Sequence, residues 1–314
     1  KKVNINAHFD CLATGVPKLG LSGTAVVDLS VSPVFSARFK SQQLSELEID
    51  HPLAQLIVTD PVFNADFRGS ADKIRAEMTL AASKSRLSHE AARVLTGRAD
   101  IKTTVEADLT GSRPAIVSDI RAELGKVRVE SGQGRLVLPE CRLAGKAVLP
   151  VKGDFTGKFH LSGTRGTVRL TKQPVAASGI SFTIPFSFPG VEKSAKGHFD
   201  VPLLSYGKKY TASVKGRIIQ SGPKQYRFDA GAGLKQLPGM NSTVSAVIDY
   251  DRAVRVKAEC RIDPYPLSSE QARNLAGPAL KNLQVAATIS GKGHIAVHPG
   301  NIQKGFIAKL SRDG

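Results

Sequence analysis

Histidine pairs, glycine-rich loops and serine–lysine spacings are the residues of this chain from which chemistry would be built. His294 and His298 in HIAVH stand four apart, the spacing that sets two imidazoles on one helix face for a metal. Here Ile295 and Val297 alternate with them behind Gly291-Lys-Gly293, so the segment reads as a strand, on which both histidines would still share a face. No HExxH glutamate and no third ligand lies nearby in the sequence, and His8, His51, His89, His160 and His198 are scattered. Gly153-Asp-Phe-Thr-Gly-Lys158 is one residue short of a P-loop and lacks its Ser or Thr. GAGLKQLPG at 231–239 has the wrong third spacing for a dinucleotide loop. No GxSxG is present, and the Ser-x-x-Lys matches at Ser70, Ser205 and Ser221 have no SDN or KTG companions. Asp249 and Asp251 in IDYDR read as a turn, and Asn241-Ser-Thr is a glycosylation sequon only in a eukaryotic secretory setting. Cys11, Cys141 and Cys260 form no CxxC pair, which leaves one disulfide plus a free thiol open. The expectation is a non-enzymatic protein with no cofactor and no metal.

The elements that would position any site are strands. Period-two alternation recurs in GTAVVDLSV (23–31), VFNADF (62–67), KIRAEMTL (73–80), IKTTVEADL (101–109) and KVRVESGQGRLVL (126–138). The last carries Ser131-Gly-Gln-Gly134, a glycine-bearing hairpin connection. Roughly twenty such runs follow one another, separated by Gly, Pro, Asn or Ser, the pattern of an all-β, mainly antiparallel protein. At 314 residues the chain can bury a sizeable core. It is read as one continuous β-rich segment, 1–314, of a longer protein. The tetrapeptides LSGT at Leu21 and Leu161, LTGS at Leu109 and ISGK at Ile289 punctuate it.

Two segments depart from the alternation. In SHEAARVLTG, Ser88 to Gly97, the apolar positions Leu87, Ala91, Val94 and Leu95 fall at helical spacing, with Gly97 at a C-cap position. SSEQARNLAG, continuing from Ser268 to about Leu283, has Ala272, Leu275, Ala276, Ala279 and Leu280 on one side. Ser268 and Gln271 have capping-box spacing there, and Pro278 limits the helix's regularity. Aligning 88–111 with 268–291 gives ten identities in twenty-four columns, suggesting an internal repeat, 62–117 on 242–297. Glu90 and Arg93, matched by Glu270 and Arg273, have the spacing of a helix-surface ion pair.

Lys and Arg total 44 against 27 Asp and Glu, a net charge of +17. Such a balance suits an anionic partner such as phosphate headgroups or acidic glycan, or simply a solvated surface. The basic residues are dispersed and no nucleic-acid-binding motif appears, so nucleic acid is the weaker partner.

In ISFTIPFSF, Ile180, Phe182, Ile184, Phe186 and Phe188 line one face at strict period two. Pro185 points the other way and cannot donate to a ladder, which places it at a sheet edge or a bulge. Five large apolar side chains on one face must meet either a sandwich core or acyl chains in a groove. Val27 and Leu29 of the first long strand join them as groove candidates.

The Gly-punctuated strands LSGTAVVDLSV, FTGKFHLSGTRGTVRL, ADLTGSRPAIVSDIRAELGKVRVESGQGRL and ISGKGHIAVHPGNI resemble those of the AsmA-like superfamily of Gram-negative envelope proteins, with its TamB-like and YdbH-like members. The resemblance implies an elongated, curved sheet or groove of repeated strands that conducts phospholipid, or another anionic lipid, between inner and outer membranes. It implies a periplasmic location, an inner-membrane anchor outside this chain, and partner proteins at either membrane. The two helical segments are departures from that pattern. The competing expectation is a closed β-sandwich serving adhesion or scaffolding, bound to acidic glycan or to a protein partner.

Overall fold

A computed structural model describes residues 2–13, 16–29, 34–41, 44–51, 54–70, 72–89, 92–108, 110, 115–150, 155–171, 174–191, 196–207, 210–249, 255–271, 287–298 and 301–312. Nearly all of these lie in twenty-one antiparallel strands, close to the number that alternation and turn residues predict. Two compact units form: residues 1–166 with 186–190, and residues 167–185 with 191–314.

In the first unit the strands are β1 (Lys2–Ala13), β2 (Val16–Asp28), β3 (Val34–Ser41), β4 (Glu46–His51), β5 (Ala54–Thr59), β6 (Val62–Ser70), β7 (Lys73–Ala82), β8 (Lys84–His89), β9 (Ala92–Thr96), β10 (Ala99–Asp108), β11 (Ala115–Ser131) and β12 (Gly134–Pro150), with most of β13 (Thr156–Leu170). The main ladder runs β1–β2–β3–β6–β7–β10–β11–β12. Strands β4, β5, β8 and β9 leave it to form a second ladder in that order, and β9 pairs with the far end of β11. Long β11 therefore has two successive partners along one edge, β10 over its first part and β9 over Arg128–Ser131.

The second unit contains β14 (Val175–Phe188) as far as Pro185, then β15 (Lys196–Tyr206), β16 (Tyr210–Gly222), β17 (Gln225–Leu234), β18 (Leu237–Asp249), β19 (Arg255–Leu267), β20 (Ala287–His298) and β21 (Asn301–Arg312). Each strand pairs with the next. This order is what short turns between alternating segments produce, since loop closure is least costly between neighbours. The sheet is not closed into a barrel: among the described residues, β1 pairs with β2 alone and β21 with β20 alone. It is the open form of the two expected.

SHEAARVLTG is a correction. Ser88 and His89 end β8, Ala92–Thr96 is β9, and the register Ser88↔Arg93, His89↔Ala92 makes the segment a hairpin. A helix of fewer than about twelve residues is marginal on its own. Here β8 gains β5 on one side, and β9 gains β11 on the other. The second segment begins as expected: Gln271 N–H donates to Ser268 Oγ at 3.2 Å while Ser268 N–H donates to Gln271 Oε1 at 2.9 Å, a capping box opening helical residues 269–271. Its body, 272–286, lies outside the described residues.

Candidate functional site: an amphipathic sheet

Directly opposed residues of an antiparallel pair project to the same face, so the registers sort the sheet into two surfaces. In the first unit three successive rows of one face read Gly23–Phe39–Ala65–Met78–Thr103–Ile120–Gly145, Ala25–Ala37–Phe67–Ala76–Val105–Ser118–Ala147 and Val27–Phe35–Gly69–Ile74–Ala107–Ile116–Leu149. On the opposite surface the row between the first two reads Thr24–Arg38–Asp66–Glu77–Thr104–Asp119–Lys146. The second unit repeats the division. Phe182–Phe199–Gly216–Ala230–Val244–Cys260–Gly293 is an apolar row, and Thr183–His198–Arg217–Asp229–Ser245–Glu259–His294 lies on the other side. Both units thus present one apolar and one charged face.

Glycine and phenylalanine share the apolar rows for a steric reason. A Cβ on Gly145 would collide with the Phe159 ring and the Lys158 carbonyl, and one on Gly23 with Phe39 and the Arg38 carbonyl. Each glycine gives the neighbouring ring a place to lie across the sheet, the arrangement known as aromatic rescue. Phe159 stacks on Phe186 with centroids 5.0 Å apart, Phe155 lies 6.1 Å from Phe188, and Phe199 meets Phe228 edge-on at 6.0 Å.

The apolar face is covered at one end in each unit. In the first, Val58 of β5 packs on Ala82 and Ala99, with Leu47, Leu56 and Leu124 around them. The second ladder is itself amphipathic and supplies this cover; one of its rows is Leu56–Leu87–Val94–Val129–Leu136. In the second unit Leu237, Met240 and Leu267 form the buried cluster, flanked by Leu234, Ile262, Tyr265 and Ile289. Tyr265 donates to the Pro238 carbonyl at 2.9 Å and accepts from Gln271 Nε2 at 2.9 Å, tying the capped helical turn to this cluster. Eight residues along the strands of the first unit the exposure changes: Ile74, Ala107 and Ile116 are only half-buried and Leu149 is 46% exposed.

The charged face is held by cross-strand ion pairs: Arg38–Asp66 at 3.0 Å, Arg75–Glu106 at 3.1 Å, Arg142–Glu123 at 3.5 Å and Lys73–Asp108 at 3.6 Å. The hydrogen bond from Arg68 to Asp66 holds that carboxyl below the usual range; partial burial opposes it, and Arg38 adds to it. Asp108 is likewise held low, by the Thr110 hydroxyl and backbone N–H first and Lys73 after them. A concavity of about 1040 Å³ on the charged face of the second unit is lined by Lys215, Arg217, Arg261 and Lys292 together with Asp229 and Glu259. Cys141 and Cys260, on apolar rows, are free thiols pushed up in pKa by burial.

The residues singled out from sequence are placed as follows. Ile180, Phe182 and Ile184 are half-buried in the second unit, Phe182 opposite Phe199. Phe186 and Phe188 belong to the first unit, against Phe159 and Phe155; Phe186 is half-buried and Phe188 58% exposed. Val27 sits on the first unit's apolar row opposite Phe35, whereas Leu29 lies just past the end of β2, 55% exposed. Pro185 is fully buried against Gly197, and the β14–β15 register ends at Thr183, in keeping with a proline that cannot donate. HIAVH is strand, with His294 opposite Glu259. Sequence reading missed the covering strands and the glycine–phenylalanine pairs. The spacing of Gly23, Gly145 and Gly216 within alternating runs was their only trace.

No family model, no curated protein and no solved structure matches this chain.

Proposed function

We propose that the chain is a non-enzymatic lipid-binding segment of an envelope protein, holding phospholipid acyl chains on its apolar face as they move between inner and outer membranes. The observation that carries this reading is the sidedness of an open sheet. The rows of one face are mostly Phe, Ile, Val, Leu, Met, Ala and Gly in both units, and Leu149 at the end of one such row is 46% exposed. Burying apolar surface of this kind is worth roughly 25 cal/mol per Å², and an acyl chain is a ligand that gains it without needing polar partners. On the reverse side, cations beyond those already ion-paired suit anionic headgroups. The resemblance of its Gly-punctuated strands to those of the AsmA-like superfamily supports a periplasmic setting and membrane partners for this reading.

Native mass spectrometry of the protein purified without detergent tests the reading. Adducts with phospholipid masses, removed by organic extraction while the β-signature in circular dichroism persists, are the expected result. A single lipid-free mass both before and after incubation with phospholipid would sink it.

A further inference from the structure

On the outer side of the second ladder, away from Val58, basic side chains gather on β8 and β11, with the acids Glu46, Glu48 and Asp50 two strands from β8, on β4. Thr59 stands opposite Lys84 and Glu46, while Ile57 and Leu95 both stand opposite Arg86, and Leu95 opposite Arg128. Lys84, Arg86, Lys126 and Arg128 line one concavity of about 600 Å³, in which Glu46 is the acidic residue. Arg128 also lies 3.7 Å from Glu130. Among the described residues Lys84, Arg86 and Lys126 have no carboxylate within ion-pairing distance. Elsewhere on the charged face many cations are ion-paired, although Lys102 and Arg121, directly opposed on β10 and β11, have no such partner among the described residues. On the main ladder Arg38, Lys73, Arg75 and Arg142 each meet a carboxylate, and in the second unit Arg217 stands opposite Asp229.

The backbone is shaped for this cluster. Lys126 has φ of 53°, a left-handed conformation that side-chain-bearing residues seldom adopt. It falls where β11 exchanges β10 for β9: Gly97 N–H donates to the Gly125 carbonyl at 2.8 Å and Gly125 N–H to the Arg98 carbonyl at 2.7 Å. Before this point the even residues Ala122 and Leu124 are on the apolar side; after it the odd residues Val127 and Val129 are. A Cβ on Gly97 would press on the Gly125 carbonyl and the Lys126 side chain at 3.2 and 3.3 Å. The twist that exchanges partners therefore also brings Lys126 beside Arg128.

We propose that this concavity binds a bisphosphate group. Four cations against Glu46 leave a strong excess of positive charge. The Arg86 and Arg128 backbones flank Leu95 at two strand spacings, roughly 10 Å apart, so both long side chains and the two lysines can converge on a ligand that carries more than one phosphate charge. Arginine offers each a bidentate fork, and lysine adds a point charge. The group could come from a soluble diphosphate or from a lipid headgroup carrying two phosphates. The inference does not depend on acyl-chain binding, because the site is on the opposite face from the apolar rows.

Pyrophosphate titrated calorimetrically, and vesicles of phosphatidylcholine doped with cardiolipin or with phosphatidylglycerol at equal charge, are the probes. The variants are Arg86→Gln and Lys126→Gly. Glycine accepts the left-handed backbone, so Lys126→Gly removes charge without straining the fold. Lys40→Gln, an exposed cation elsewhere, is the control. Wild type and K40Q should bind pyrophosphate, and R86Q and K126G should weaken that binding about tenfold or more with unchanged circular dichroism. Preference for cardiolipin over phosphatidylglycerol, lost in the same variants, would assign the lipid source; pyrophosphate binding without that preference would assign the soluble one. Absence of binding to either probe, or equal binding by R86Q, K126G and K40Q, would overturn the site.

Discussion

Along β7, β10, β11 and β12 the same apolar face meets two different fates. At one end Ala82, Ala99, Leu124 and Cys141 stand in line beneath Val58 and Leu47 of the second ladder. Eight residues further along β10, about 27 Å at strand rise, Ile74, Ala107, Ile116 and Leu149 form an equally apolar row whose last member is 46% exposed. Composition does not separate the two ends; coverage does. The difference teaches that this face is packed under the second ladder, stays buried at Ala65, Ala76 and Ala147 in the rows between, and opens to solvent at Leu149.

The largest test of this contrast places a charge at each end. Val58→Asp should unfold or severely destabilise the first unit, since a buried unpaired carboxylate costs about 3–5 kcal/mol. Leu149→Asp should cost under about 1 kcal/mol, which chemical denaturation of the two variants compares directly. Equal losses would erase the distinction between covered and open ends. Next in size, Gly145→Ala forces a methyl group onto the Phe159 ring and the Lys158 backbone. It should cost about 1–3 kcal/mol, whereas at Gly132, with open space around it, the same change should move the melting temperature little.

The covered end of the second unit offers a smaller effect. Ser268→Ala removes the acceptor for Gln271 N–H and should cost about 1 kcal/mol. It should also loosen Gln271 from Tyr265, read as faster amide exchange around Leu267. The smallest effect belongs to the charged face. Asp66 has a folded pKa below its ordinary 3.8, chiefly through the Arg68 hydrogen bond, then Arg38. Its stabilisation is present above the unfolded value and lost as pH falls through the folded one. Asp66→Asn should therefore cost about 0.2–1 kcal/mol near neutrality and nothing at a pH well below 3, by paired denaturation curves.

Much of this architecture is legible in the sequence, because period-two alternation in KIRAEMTL or AVVDLSV fixes both the strand and its apolar side. The change of parity between Leu124 and Val127 marks an irregularity beside Gly125, but that Lys126 rather than the glycine takes the left-handed conformation is visible only in the structure. Partner choice is less legible. That β3 pairs with β6, and that β4, β5, β8 and β9 fold away together, depends on contacts between distant segments that no local pattern carries. SHEAARVLTG shows the limit: its helical spacing is real, yet pairing with β5 and β11 outweighs a short helix's weak propensity. Its counterpart SSEQ does open a helical turn, for there Ser268 and Gln271 satisfy each other's backbone donors. Of the residues proposed for a groove, Phe182, Phe186 and Phe188 stand out by their alternation, while Leu29 lies one residue past the end of β2.

The central claim, that the open apolar face receives acyl chains, is tested most directly by titrating a fluorescent acyl-labelled phospholipid into wild type, Leu149→Asp and Val34→Asp. Val34 is as exposed as Leu149 but lies on the charged face, opposite Asp28 and Ser70. The account predicts that Leu149→Asp weakens binding severalfold while Val34→Asp matches wild type. Equal binding by all three proteins, or no binding by any, would contradict it.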